Sequence, residues 1–171
     1  SFEKSKETKK IKLANQYNLA LIDLNPQNKQ KKINAMINVV KSNDATYSPL
    51  ALYHLLDNNL LDNNDDINNL FNELIEKTNL ENEIKNLVIY KKALFNSNFV
   101  SENELLRILN PVINSDSIWK SHALYLLAEY FYSKKEKQKA KEFFNKILVL
   151  PSANNEIKLE SQKRLNRDLG E

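Results

Sequence analysis

At 171 residues the chain has the length of one ordinary domain, and a chain of this size can withdraw roughly 70% of its unfolded surface from water. It carries no cysteine, two histidines and one glycine, which removes disulfides, thiolate nucleophiles, cysteine-ligated zinc, iron–sulfur clusters and glycine-rich phosphate loops from consideration. The formal charge of +3 is spread as nine lysines against three acids in residues 1–41, five basic against twelve acidic residues in 42–117, and eleven against seven in 118–171, so the continuous basic stripe wanted for nucleic-acid binding is interrupted by an acidic middle.

Glycine and proline together make five residues, too few for the closely spaced turns of an all-β fold, and apolar residues recur at three- and four-residue steps, so the fold class is all-α. The first predicted helix runs from Lys6 to Leu24 on Leu13, Tyr17, Ala20 and Leu21. The second opens at Asn25 with Pro26 in its first position and carries Ile33, Met36, Ile37 and Val40. Ser48 is read as the cap of a third helix with Pro49 behind it and Leu52, Leu55 and Leu56 inside it. Asp62 opens a fourth on Ile67, Leu70, Phe71 and Leu74, and Asn79 a fifth on Leu80, Ile84, Leu87, Val88, Tyr90 and Leu94. Ser101 with Glu104 forms a capping box for a sixth helix on Leu105, Ile108 and Leu109, which Pro111 should kink or end. A seventh spans Ser117 to Tyr132, an eighth Glu136 to Leu150 before Pro151, and a ninth Asn154 to Leu169 before Gly170.

Helices of this length with short connections suggest a repeat. In the last pair Ala128 is answered twelve positions later by Ala140, then by Phe144, Ile147 and Pro151. The same frame places Ala93 with Leu105, Leu55 with Ile67, and Ala20 with Lys32, at offsets of 35, 38 and 35 residues. This pattern resembles the tetratricopeptide repeat, in which small residues at the helix crossing allow close approach and an aromatic residue fills the next groove. The resemblance implies residues 1–171 as a single right-handed solenoid of four helix hairpins and a C-terminal capping helix, with Ala20, Leu55, Ala93, Ala128, Ala140 and Phe144 as repeat-packing positions.

The stretch SIWKSHALYLLAEYFYSKKEKQKAKEFFNKILVLPSANNEIKLESQKRL, with Trp119 before an alanine-rich helix, a lysine-rich turn and a final helix after a Pro-containing loop, is similar to a narrower family. That family is the tetratricopeptide-like periplasmic domain of bacterial inner-membrane proteins related to the ancillary subunit of the Sec translocon. The resemblance implies a membrane-anchored, non-enzymatic scaffold working without a cofactor, whose partners are translocon subunits or a periplasmic chaperone. No run of 18 apolar residues and no signal-peptide pattern is present. The start at Ser1, leading directly into SFEKSKETKK, fits a linker over residues 1–5 just outside a preceding membrane anchor.

Candidate chemistry is sparse. Asp62, Asn64, Asp66 and Glu73 match positions 1, 3, 5 and 12 of a calcium loop, but Ile67 stands where that loop turns on glycine, and the apolar stripe makes the segment a helix start instead. His54 and His122 have no nucleophile or second ligand at a motif spacing. The lysines 134, 135, 137, 139 and 141 are interleaved with Glu136 and Glu142 and read as a solvated turn.

The repeat frame selects a concave, partner-binding face made of Tyr17, Leu52, Tyr90, Leu94, His122, Tyr125, Glu129 and Tyr132. Such a face would either capture an extended or helical polypeptide or close a homodimer. A third reading uses the terminal lysine blocks to bind RNA.

Overall fold

The computed structural model describes residues 1–22 and 24–170, and among these the regular structure is all-helical. The helices are α1 (Phe2–Leu21), α2 (Lys29–Lys41), α3 (Tyr47–Asp57), α4 (Asn64–Asn72) with a π-helical continuation Glu73–Lys77, α5 (Asn82–Asn96), α6 (Glu102–Ile113), α7 (Lys120–Ser133), α8 (Lys137–Leu148) and α9 (Asn155–Asp168). Asp23, inside the expected span of the first helix, lies outside the described residues. The chain divides into two compact units, Ser1–Glu81 and Asn82–Glu171.

In the first unit α2 packs against α1 and α3, and α4 with its π continuation packs against α2. Met36, Val39 and Val40 of α2 meet Ala51, Leu52 and Leu55 of α3 and Ile67, Leu70 and Phe71 of α4 in a core closed to solvent. The first ten residues of α1 are all exposed; beside the helix's own hydrogen bonds, Lys10 donates to the Thr46 hydroxyl at 3.2 Å.

Several start signals act differently from their sequence reading. The Asn25 side chain accepts the amides of Gln27 and Asn28, both at 3.0 Å, making a turn that keeps Pro26 outside the helix; α2 therefore begins at Lys29. Ser48 is not a cap. Its hydroxyl donates to the Val39 carbonyl at 2.7 Å and accepts the Asp44 amide at 2.8 Å, pinning the start of α3 to the end of α2. The turn into α3 is made by Asp44, whose carboxylate accepts the amides of Thr46 and Tyr47 at 2.9 and 2.7 Å.

Asn63, not Asp62, caps α4 by accepting the Asp66 amide at 3.0 Å. That places Asn64 and Asp66 in a helical first turn, where the negative charge is favourable. After the π continuation the Leu80 amide closes a turn onto the Thr78 carbonyl at 2.9 Å, and α5 starts at Asn82 rather than Asn79.

The second unit is a succession of neighbours. α5 packs on α6 and α7, α6 on α7, α7 on α8, and α9 on both α8 and α7. Ser101 caps α6 as expected, accepting the Glu104 amide at 3.3 Å. Pro111 falls inside the last turn, and α6 continues to Ile113, because only one amide is lost there and the turn is about to end in any case. Asn154 caps α9 through the Ile157 amide at 3.1 Å. The most extensive packing in this unit joins α7 to α8, where Ala128 and Ala140 are both 0% exposed.

All six expected repeat-packing positions, Ala20, Leu55, Ala93, Ala128, Ala140 and Phe144, are buried. Lys32, which interrupts the small-residue pattern, has another use: its ammonium donates to the Leu19 carbonyl at 2.8 Å and to the Ile22 carbonyl, covering carbonyls left open at the end of α1. Backbone φ is positive at Asn43, Asn59 and Lys135, at 57°, 51° and 63°, and at Gly170.

Candidate functional site

Two of the eight residues expected on a binding face belong to the first unit. Tyr17 on α1 is half-buried and rests its ring 5.8 Å from that of Tyr47. Leu52 is fully buried, so it supplies core and cannot meet a partner; α3, whose stripe looked like a groove position, packs chiefly on α2.

The other six lie on α5 and α7 in the second unit. Tyr90 of α5 forms an aromatic cluster with Trp119 and His122 at the start of α7. The Tyr90 and Trp119 rings stack at 6.2 Å, and His122 lies 5.7 Å from Tyr90 and 4.9 Å from Trp119. The cluster is positioned by Glu83 in the first turn of α5, whose carboxylate accepts the Ile118 amide at 2.7 Å and the Ser117 hydroxyl at 3.2 Å. Burial alone would raise the Glu83 pKa, yet the hydrogen bonds from Asn86, the Ile118 amide and Ser117 hold it below the ordinary value. Burial raises the Tyr90 phenol, with the negative charge of Glu129 adding to the effect.

His122 carries a solvent-inaccessible Nδ1 that finds no hydrogen-bond partner among the described residues, and burial lowers its pKa from the ordinary 6.5. The unfolded chain takes up this proton at a higher pH than the folded one, so folding loses stability as pH falls below about 6.5. In His122→Phe this part of the pH dependence should disappear, and thermal melts between about pH 8 and pH 5 should show a flatter profile than the parent. An unchanged slope would mean that the ring is not held neutral by its surroundings.

Further along α7 the groove positions are occupied from within the same unit. Arg164 of α9, 9% exposed, donates to the Tyr125 hydroxyl at 3.3 Å and to Asp168 at 2.6 Å, and stands 3.6 Å from the Glu129 carboxylate. Its guanidinium lies 5.1 Å from the Tyr132 ring centre and 5.2 Å from that of Phe144. Phe144 and Tyr125 in turn pack edge-on, with ring centres 5.5 Å apart. Hydrogen bonding from Arg167, and then from Arg164, carries the Asp168 pKa down to about 2 against the opposing effect of burial. This planar cation therefore satisfies Tyr125, Glu129 and Asp168 while stacking on two rings, a combination for which lysine has no equivalent geometry.

Toward the C-terminal end of α5 the face opens. A cleft of about 280 Å³ is lined by Leu94, Ser97 and Asn98 from the α5 side and by Leu126, Glu129, Tyr130 and Ser133 of α7. Leu94 is 41% exposed there, and Tyr130 fixes the neighbouring loop by donating its hydroxyl to the Val100 carbonyl at 3.1 Å. The face thus has a filled half, where Arg164 sits, and an open half beside Leu94.

No family model, curated protein or solved structure matches the chain. Among the described residues no cluster of three or more His, Asp or Glu could hold a metal ion, and no helix is long and apolar enough to cross a membrane.

Sequence reasoning missed Arg164 and Glu83, which organise the two clusters. The spacing of Ile157, Ser161 and Leu165 marks the inward stripe of α9, and Arg164 is buried along with Ser161 and Leu165; only the partner helix reveals that an arginine is wanted there.

Proposed function

We propose that the chain is a non-catalytic protein-binding module that receives a polypeptide segment on the α5/α7 face of its second unit. The observation that carries this reading is the open cleft beside Leu94, where a large apolar side chain stands exposed within a face otherwise rich in tyrosine. Aromatic and apolar side chains at a cleft provide contact area at small entropic cost. Tyr90, Leu94 and Glu129 would contact the segment, while Tyr125 and Tyr132, held by Arg164, would form the closed end of the groove.

The finer architecture we propose is a tetratricopeptide-like right-handed solenoid of helix hairpins with α9 as its cap. Its support is the neighbour-to-neighbour packing from α5 to α9 in the second unit and the paired small residues Ala128 and Ala140 at the α7/α8 crossing. On the family resemblance, the partner is a subunit of the protein translocon or a periplasmic chaperone, and the working place is the outer face of a bacterial inner membrane.

Leu94→Glu tests this reading without disturbing Arg164, unlike substitution of Tyr125. With a photoreactive residue introduced at Asn98, crosslinking in membranes of the source cell should recover translocon subunits or a chaperone, and Leu94→Glu should reduce the yield at least about tenfold, or about 1.4 kcal/mol, at unchanged helicity. Recovery of only a second copy of the chain would replace the scaffold by a self-association module. Equal crosslinking by the variant would remove this face from the function.

A further inference from the structure

We infer that the groove between α6 and α8 is a second docking surface, whose partner is a peptide segment carrying large apolar side chains flanked by carboxylates. The groove holds about 500 Å³ and is walled by Leu106 and Ile113 of α6, Leu124 of α7, and Phe143 and Val149. None of these residues belongs to the α5/α7 face. Val149, immediately after α8, is 79% exposed. Isolated exposed apolar residues are ordinary, but here the exposed one borders a concave wall of others, which is the pattern of an interaction site.

The charge around the groove selects the occupant. Its two charged lining residues are Lys120 and Lys146, and no carboxylate contributes to the lining. Elsewhere on α8, Lys139 is matched, pairing with Glu102 at 3.0 Å and Glu136 at 3.1 Å. Among the described residues neither Lys120 nor Lys146 has a carboxylate partner. Lys146 instead lies over the Phe143 ring at 4.7 Å from its centre, a position that brings a cation to the apolar wall itself.

Lys120 is the first residue of α7. A cation at the positive end of a helix is mildly unfavourable, so helix stability does not account for it. The helix end and the ammonium together raise the positive potential at that end of the groove. An acidic segment would supply the absent counter-charge to both lysines while its apolar side chains displace water from the wall. A nucleic acid would neutralise the lysines but leave the apolar wall wet, and a purely apolar segment would leave the lysines unmatched.

Three synthetic peptides of equal length test the assignment by fluorescence anisotropy against the full chain. The first has paired leucines flanked by glutamates, the second the same leucines flanked by lysines, and the third the glutamates with serine in place of leucine. The first should bind at low salt with a Kd of about 100 μM or tighter. The other two should bind at least about tenfold more weakly, and added salt should weaken the first severalfold.

Lys120→Glu combined with Lys146→Glu should reverse the preference toward the lysine-flanked peptide. This variant is expected to fold, because glutamate suits the first turn of α7 and Lys146 is exposed. Leu106→Glu should abolish binding of the first peptide, whereas Leu94→Glu should leave it unchanged, which separates this surface from the α5/α7 face. Equal binding of all three peptides, failure of the first to bind, or indifference to charge reversal would overturn the inference. So would dilution-dependent light scattering that Leu106→Glu abolishes, since the groove would then be closed by a second copy.

Discussion

Phe144→Ala is expected to lower the unfolding free energy of the second unit by about 4 kcal/mol, the range for removing a fully buried aromatic ring from a core that only partly collapses. Phe144 is 0% exposed and serves two neighbours besides the hydrophobic core. It offers an edge-on contact to Tyr125 at 5.5 Å and a ring face to Arg164 at 5.2 Å. Without it Arg164 keeps Asp168 and Glu129 but loses part of its surroundings, so α9 should loosen before the rest of the unit unfolds. Urea titration followed by circular dichroism gives the stability change, and amide exchange localises it: protection should fall first in α9. Phe144→Leu, which keeps most of the volume, should cost only about 1.5 kcal/mol. A loss below about 1 kcal/mol for the alanine variant would show that α9 does not rest on this ring.

Ala128→Leu should cost about 3 kcal/mol by the opposite means. Ala128 and Ala140 are both inaccessible where α7 and α8 pack most extensively, and a side chain with three more carbons has no void to enter. The helices must separate or the new side chain must leave its preferred rotamer. Leucine at Leu55, the corresponding place in the sequence frame, is native and buried, and there α3 packs chiefly on α2 rather than closely on α4. The same substitution is therefore damaging at one frame position and already accommodated at another. A thermal melt of Ala128→Leu with an unchanged midpoint would refute the close crossing.

The all-helical class was legible because periodicity and the shortage of glycine and proline both report on backbone geometry that the chain settles locally. Ser101 was legible as a cap, and Asn154 as the start of the last helix, for the same reason: each bonds to an amide three residues ahead. Ser48 was not, because its hydroxyl reaches nine residues back to Val39 and no local rule distinguishes that bond from a cap. Asn25 outcompeted Pro26 through a turn of its own. The face of α5 and α7 could be listed residue by residue from the repeat frame, but the occupation of half of it by Arg164 depends on where α9 lands. Leu52 failed as a surface residue since a helix enclosed on more than one side buries positions that a single-sided stripe would leave open.

The three left-handed positions at Asn43, Asn59 and Lys135 bear on the denatured chain as much as on the fold. A turn of this kind is commonly given to glycine, whose freedom must be surrendered on folding. A side chain there accepts strain of about 1 kcal/mol in the native state, least for asparagine, while an unfolded chain without glycine has fewer conformations to lose, an effect of about 0.4–1 kcal/mol per site. With one glycine in 171 residues, placed beyond the last helix, the connections between helices begin with restricted backbones. Part of what keeps the helices assembled thus resides in the poverty of the alternatives, and no contact in the folded protein records it.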